Sequence, residues 1–163
     1  VLLVSPMKPI YIILAKAVPY FVLSFVNLAT ILLLSVFVLH VPIAGNFFVL
    51  ILVSLLFIFV SLSLGLLIST VTQNQIAAML VSGLVLLMPT TLMSGMIYPI
   101  DAMSAPLQVI SSILPARWYI EIVRKVMIQG VSVFFVLKEI AILVLMAFVL
   151  IMISLKKFKI RLE

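Results

Sequence analysis

Four long apolar runs, separated by short polar breaks, set the pattern of this chain. The first extends from Ala17 to Leu39. As a helix rising ~1.5 Å per residue it is long enough to cross a hydrocarbon core of ~30 Å. Lys8 and Lys16 precede it, and Pro42, Gly45 and Asn46 mark a tight turn after it. The second run, 47–71, gives way to Thr72-Gln73-Asn74-Gln75. The third, 76–97, contains Pro89, where a kink is expected because proline removes a backbone donor and crowds the preceding turn. The fourth, 137–155, is stopped by the basic tail Lys156-Lys157-Phe158-Lys159-Ile160-Arg161. The runs are too uniformly apolar for barrel strands, which alternate, and an open strand leaves its backbone unsatisfied in lipid. The pattern therefore predicts an all-α membrane protein with about four transmembrane helices.

Between the third and fourth runs, the stretch from Tyr98 to Val136 is too polar to span and too apolar for a free loop. Ser104 is a plausible N-cap with Pro106 in the first turn, and Pro115 is expected to end that short helix after Leu114. A second helix fits Ala116 to Gln129, stopped by Gly130. On it Arg117, Glu121, Arg124, Lys125 and Gln129 share one side. Tyr119, Ile120, Val123, Val126 and Met127 share the other, with Ile128 as the exception. Arg117–Glu121 and Glu121–Lys125 are i,i+4 pairs, each worth ~0.3 kcal/mol. This is a re-entrant or interfacial helical hairpin over about 101–130, placed before the last span.

Composition changes the picture by fixing the solvent. The chain is 67% hydrophobic and 9% charged, against roughly 45–50% and about 25% in soluble domains. So few charges cannot wet a surface of this size, and lipid must cover much of it. The net charge of +6 is no nucleic-acid signal, because the basic residues sit at the span ends and in one polar loop. Anionic headgroups explain them better. Lys8, Lys16, Lys156, Lys157, Lys159 and Arg161 lie on the terminal side, and Arg117, Arg124, Lys125 and Lys138 on the other, which favours cytoplasmic ends. The opening Val1-Leu2-Leu3-Val4 has no basic leader, so a signal peptide is not expected. The expectation is an internal start, with an N-terminal part of the protein upstream.

The inventory argues against chemistry in this chain. His40 is the single histidine, there is no cysteine, and Asp101, Glu121, Glu139 and Glu163 are scattered. Metalloprotease, esterase and phosphate-loop motifs are missing, and a metal site lacks ligands. No catalytic, cofactor or metal residue is expected. The spans also lack ionisable residues near their middles, which argues against a proton-driven carrier. What they do carry is polar and small stripes. Lys16, Tyr20, Ser24, Asn27 and Ser35 fall on one arc of the first, and Ser54, Ser61, Gly65, Ser69 and Thr72 on one arc of the second. Such stripes are either packing seams or the lining of a translocation route. Ser24, Asn27, Ser61 and Gly65 are the candidates for both readings. Met79, Met88, Met93 and Met96 would suit lipophilic cargo or plain packing equally.

Two stretches then carry a family resemblance. Leu2-Leu3-Val4-Ser5-Pro6-Met7 followed by Tyr11-Ile12-Ile13-Leu14-Ala15-Lys16 resembles the segment before the third span of type-2 ATP-binding-cassette export permeases. Ser94-Gly95-Met96-Ile97-Tyr98-Pro99-Ile100, then Leu114-Pro115-Ala116-Arg117-Trp118-Tyr119 and Glu121-Ile122-Val123-Arg124, resembles the family's stretch between the fifth and sixth spans. The resemblance implies spans three to six of a six-span permease, so that 1–163 is a partial transmembrane domain. It also implies pairing with a second permease copy or paralogue, and docking on a cytoplasmic ATPase subunit that holds the ATP and Mg. The implied location is the bacterial inner membrane. Val4, Ser5, Pro6, Met7 and Lys8 would then belong to the ATPase-coupling segment, although an ordinary membrane-entry turn also accounts for them. The hairpin would dip into the outer leaflet and cap the exit. Its marked residues are Gly95, Pro99, Asp101, Pro115, Arg117, Tyr119 and Glu121, with Asp101 and Arg117 either paired or separately solvated. The alternative is a membrane scaffold or assembly subunit that transports nothing.

Overall fold

In a computed structural model the described residues are 9–162, and among them the only regular structure is helical. Helix α1 is Pro9–Phe37, with Pro9 at its start, where a missing N–H costs nothing. The apolar part able to span begins at Ala17. Helix α2 is Phe47–Val71. Asn46 caps it, its side-chain oxygen accepting from the Phe48 N–H at 2.9 Å, and Asn74 caps the next helix by accepting from the Ala77 N–H at 2.7 Å.

Helix α3, Gln75–Met93, is a third segment long and apolar enough to cross a membrane. It departs from α geometry in the middle: Val81–Leu87 is a π stretch, and the Met88 N–H bonds back to the Gly83 carbonyl. Pro89 lies just beyond. Its absent N–H and its ring disturb the turn before it, and widened turns re-pair the backbone groups it strands. The helix stops at Met93 and not near Ile97, because Gly95 takes φ +84° and turns the chain away.

Two short helices follow, α4 (Ala105–Ser112) and α5 (Pro115–Val123). A π turn, Arg124–Ile128, prolongs α5. Pro115 opens α5 instead of closing α4, which already ends at Ser112. Ser104 stands at the head of α4 but makes no capping bond through its side chain. Helix α6, Leu137–Leu162, is preceded by a 3-10 turn, Val133–Val136, and its spanning part is Val133–Ser154. The basic tail ends the apolar stretch and not the helix, as expected of Lys and Arg, which are good helix formers.

The core lies at one end of the bundle. There α5 wedges against α2 and the head of α6, burying Leu50, Val53, Ile122, Val126, Met127, Val136 and Leu143 together. Farther along, α2 and α6 continue as the closest helix pair. Val60, Ser63, Ala147 and Ser154 are buried there, and the Ser154 hydroxyl reaches the Ser63 carbonyl at 3.5 Å. Small residues at such a seam let two helices approach without a hydrophobic drive. Helix α1 packs on α2, flanking an apolar pocket of about 380 Å³ that includes Phe25, Leu32, Phe37, Phe47 and Ile51. Among the described residues, helix α3 has none buried in its spanning window.

Candidate functional site: a hairpin closed over one end of the bundle

The segment from Ser94 to Gln129 folds back over the end of α2 and α6. Its two helices are stapled by groups that satisfy the open carbonyls at the end of α4. The Arg117 Nη1 donates to the Gln108 carbonyl at 2.8 Å and to the Ser111 hydroxyl at 2.6 Å. The Trp118 Nε1 donates to the Ser112 carbonyl at 2.9 Å. A cation at a helix C-terminus also meets the negative end of the backbone dipole. The guanidinium of Arg117 lies 5.2 Å from the centre of the Trp118 ring, within cation–π range. Arg117 therefore pairs with neither Glu121 nor Asp101, and Asp101 is exposed with no ion pair among the described residues.

Three further contacts tie the hairpin to the spans. Tyr119 stacks flat on Phe57, ring centres 4.2 Å apart, and its hydroxyl shares a 2.9 Å hydrogen bond with that of Ser54. Burial pushes the Tyr119 phenol above its ordinary value, partly offset by the Ser54 bond. Tyr119 is thus a packing group between helices. At the C-terminal end of α5, the Ala44 N–H donates to the Met127 carbonyl at 3.0 Å. Gly45 sits against the Val126 carbonyl, leaving no room for a Cβ, and Gly130, at φ +64°, sits tightly against Ala44. Finally, Lys125 Nζ lies 2.9 Å from Glu121 Oε1 and 2.7 Å from Glu139 Oε1 on α6. The hydrogen bond that Lys125 donates to Glu139 is the chief reason its ammonium titrates above its usual range, with partial burial opposing and Glu121 adding to the rise.

The polar side of α5 faces a pocket of about 280 Å³ walled by Ser94, Gly95, Pro99 and Asp101 opposite Arg117, Glu121, Arg124, Lys125 and Gln129. Arg124 crosses it, its Nη2 donating to the Gly95 carbonyl at 2.9 Å. Gly95, Pro99, Asp101, Arg117 and Glu121 therefore share one pocket, while Pro115 starts the helix that forms its wall and Tyr119 faces away into the bundle.

The span candidates are not gathered in this way. Ser24 is half-buried on α1, and Asn27 is exposed with no hydrogen bond to its amide among the described residues. On α2 the small-residue stripe is covered at Ser54 by Tyr119. Ser61 and Gly65, farther along the same face, are exposed, and a Cβ on Gly65 would meet nothing within 4 Å. Val4, Ser5, Pro6, Met7 and Lys8 lie outside the described residues. Sequence reasoning missed Glu139, which it counted only among the scattered acids, and Ser63, which lies off the stripe. A signal existed for Glu139: an acid next to the first apolar turn of a span needs a cation nearby.

These features define a polytopic α-helical membrane protein whose last two spans are bridged by a folded-back amphipathic hairpin. The chain belongs to the ABC-2 type transporter family, whose description matches residues 1–128. It is 35% identical over 119 residues to the Escherichia coli (strain K12) protein named "Probable multidrug ABC transporter permease YbhS", covering 73% of this chain and 32% of that one. It is 28% identical over 131 residues to "Probable multidrug ABC transporter permease YbhR" of the same strain, 80% of this chain and 35% of the relative. It is 30% identical over 131 residues to "ABC transporter G family member 20" of Dictyostelium discoideum, 80% of this chain and 18% of the relative. The chain thus spans about a third or less of the length of these curated relatives. No solved structure matches it.

Proposed function

We propose that this chain forms spans three to six, the C-terminal portion, of a permease subunit that makes the translocation path of an ATP-driven exporter of the bacterial inner membrane, with both of its ends on the cytoplasmic side. The observation that carries the reading is the closed hairpin at the bundle end opposite the Val71–Gln75 turn, which suits an outer cap over an exit. ATP and Mg would bind to a partner ATPase, met through the segment that includes Val4, Ser5, Pro6, Met7 and Lys8. This chain would carry no step of the hydrolysis itself. A second permease copy or paralogue would complete the path, for which the exposed faces of α3 and of α2 around Ser61 and Gly65 are available. Two relatives are named as multidrug permeases, and a lipophilic cargo suits spans so poor in charge.

The test uses the full-length permease with its candidate ATPase in liposomes. Nucleotide-dependent transport with coupled ATP turnover is expected, and replacing Ser5-Pro6-Met7 by Gly-Gly-Gly should abolish co-purification of the ATPase. Absence of coupled turnover from a well-folded complex would leave the membrane scaffold as the better description.

A further inference from the structure

We propose that Lys125 and Glu139 form a releasable latch between the hairpin and the last span, with Glu121 as the place where Lys125 rests when the latch is open. The idea builds on the exporter reading, in which the cap over the exit must move.

Three observations support it. The Lys125–Glu139 contact, at 2.7 Å, is the one ion pair joining two separate elements among the described residues. Lys125 also has a second carboxylate, Glu121 at 2.9 Å, on its own helix one turn away. If α5 and the head of α6 part, Glu121 travels with Lys125 and keeps its charge paired. A purely structural pair has no need of that second partner. Glu139, for its part, is only 5% exposed, and its Oε2 has no hydrogen-bond partner. Helix α5 packs on α6 and supplies this cation, so parting the two exposes the carboxylate.

The energetics fit a latch better than a weld. Desolvating a charge pair offsets most of its attraction, and a well-packed apolar pair in the same place is often the more stable choice. An orphaned carboxylate oxygen raises the cost of the closed state further. The pair therefore adds less to the closed state, whose core at this end is apolar, than apolar side chains in its place would add. The pivot is the opposite side of α5, where Tyr119 stacks on Phe57 and bonds to Ser54. The turn at Ala44 is hydrogen-bonded to Met127 and moves with the hairpin.

The experiment compares the full-length wild type with Lys125→Met/Glu139→Leu and with Glu139→Gln, each with its ATPase in liposomes. Amide exchange over 117–128 and nucleotide-driven transport are both read. The latch predicts that the apolar double variant protects 117–128 at least as well as wild type while transport slows about tenfold, the effect of a barrier higher by one decade. Glu139→Gln should speed exchange in 117–128, and not in α2, with transport retained. Wild-type transport together with wild-type exchange in the double variant overturns the latch, as does faster exchange in that variant, which would make the pair simple glue. Should the double variant fail to fold, Glu139→Gln decides: unchanged exchange in 117–128 overturns the proposal. A wild type that folds but transports nothing refutes the exporter reading, and the exchange arm still reads the latch.

Discussion

At Tyr119 one face of the ring stacks on Phe57 while the hydroxyl answers a serine buried in the neighbouring span. Tyr119→Phe keeps the stack and loses the bond, and should cost about 1 kcal/mol. Tyr119→Ala removes the ring as well and should cost about 3–5 kcal/mol, as for other buried aromatics. Denaturation of the purified protein in mild detergent reads both, and equal losses would show that the stack contributes nothing. Lys125 gives a pH signature. Its folded value lies above its ordinary value of 10.5, so folding holds its proton more tightly. The stabilisation is complete below the ordinary value and is lost only as pH rises through the raised one. Melting temperature should therefore show no Lys125-dependent step through the neutral range and an alkaline fall that shrinks in Lys125→Met. Gly45 makes a third residue-scale case. An added Cβ would fall on the Val126 carbonyl, a backbone atom that cannot swing aside. Gly45→Ala should lower the melting temperature clearly, whereas Gly65→Ala, in open space, should leave it nearly unchanged.

At the scale of elements, hydrophobic length located the helices and special residues set their details. The bounds of α2 could be read from its apolar run because polar residues flank it on both sides. The end of α3 could not, since Met96, Ile97 and Tyr98 are as apolar as a span and only the positive φ at Gly95 turns them out of it. The hairpin's two faces were legible from helical periodicity, because the polar side of α5 is the side that faces the pocket. The partner of each charge was not. Arg117 has a carboxylate at i+4 but donates to the Gln108 carbonyl and the Ser111 hydroxyl near the end of α4, and that choice depends on how two helices meet. Pro89 offers an element-scale test. If it causes the π stretch, Pro89→Ala should let α-helical pairing run through 81–88. Residues 75–80 would then turn by about 100° relative to 90–93, one residue's worth of helix. Paired-cysteine cross-linking from α3 to α2 should shift by one position, and an unchanged pattern would place the cause elsewhere in the sequence.

For the whole molecule, the arrangement makes a statement about sidedness. The hairpin, the turn around Gly45 and the head of α6 share one end of the bundle, and the Val71–Gln75 turn lies at the other. The chain has no cysteine, so single-cysteine variants report position directly. Ser104→Cys and Ser132→Cys should react with an impermeant maleimide added outside intact cells, and Gln73→Cys only after the membrane is opened. The reverse pattern would invert the protein and with it the proposed exit. Burial is also uneven at this scale. Among the described residues, helix α2 buries a third of its most apolar window, and α3 none. That asymmetry is expected of a bundle completed by further helices, and composition alone did not reveal it.

The tight seating of Gly45 against Val126, and of Gly130 against Ala44, bears on how the molecule can be re-engineered. Cap and turn fit each other backbone to backbone, so neither can be exchanged alone. A chimaera that grafts residues 94–130 from a relative should misfold unless residues 41–46 come from the same donor. An epitope tag spliced into 41–46 should abolish assembly where the same tag at Ser104 is tolerated.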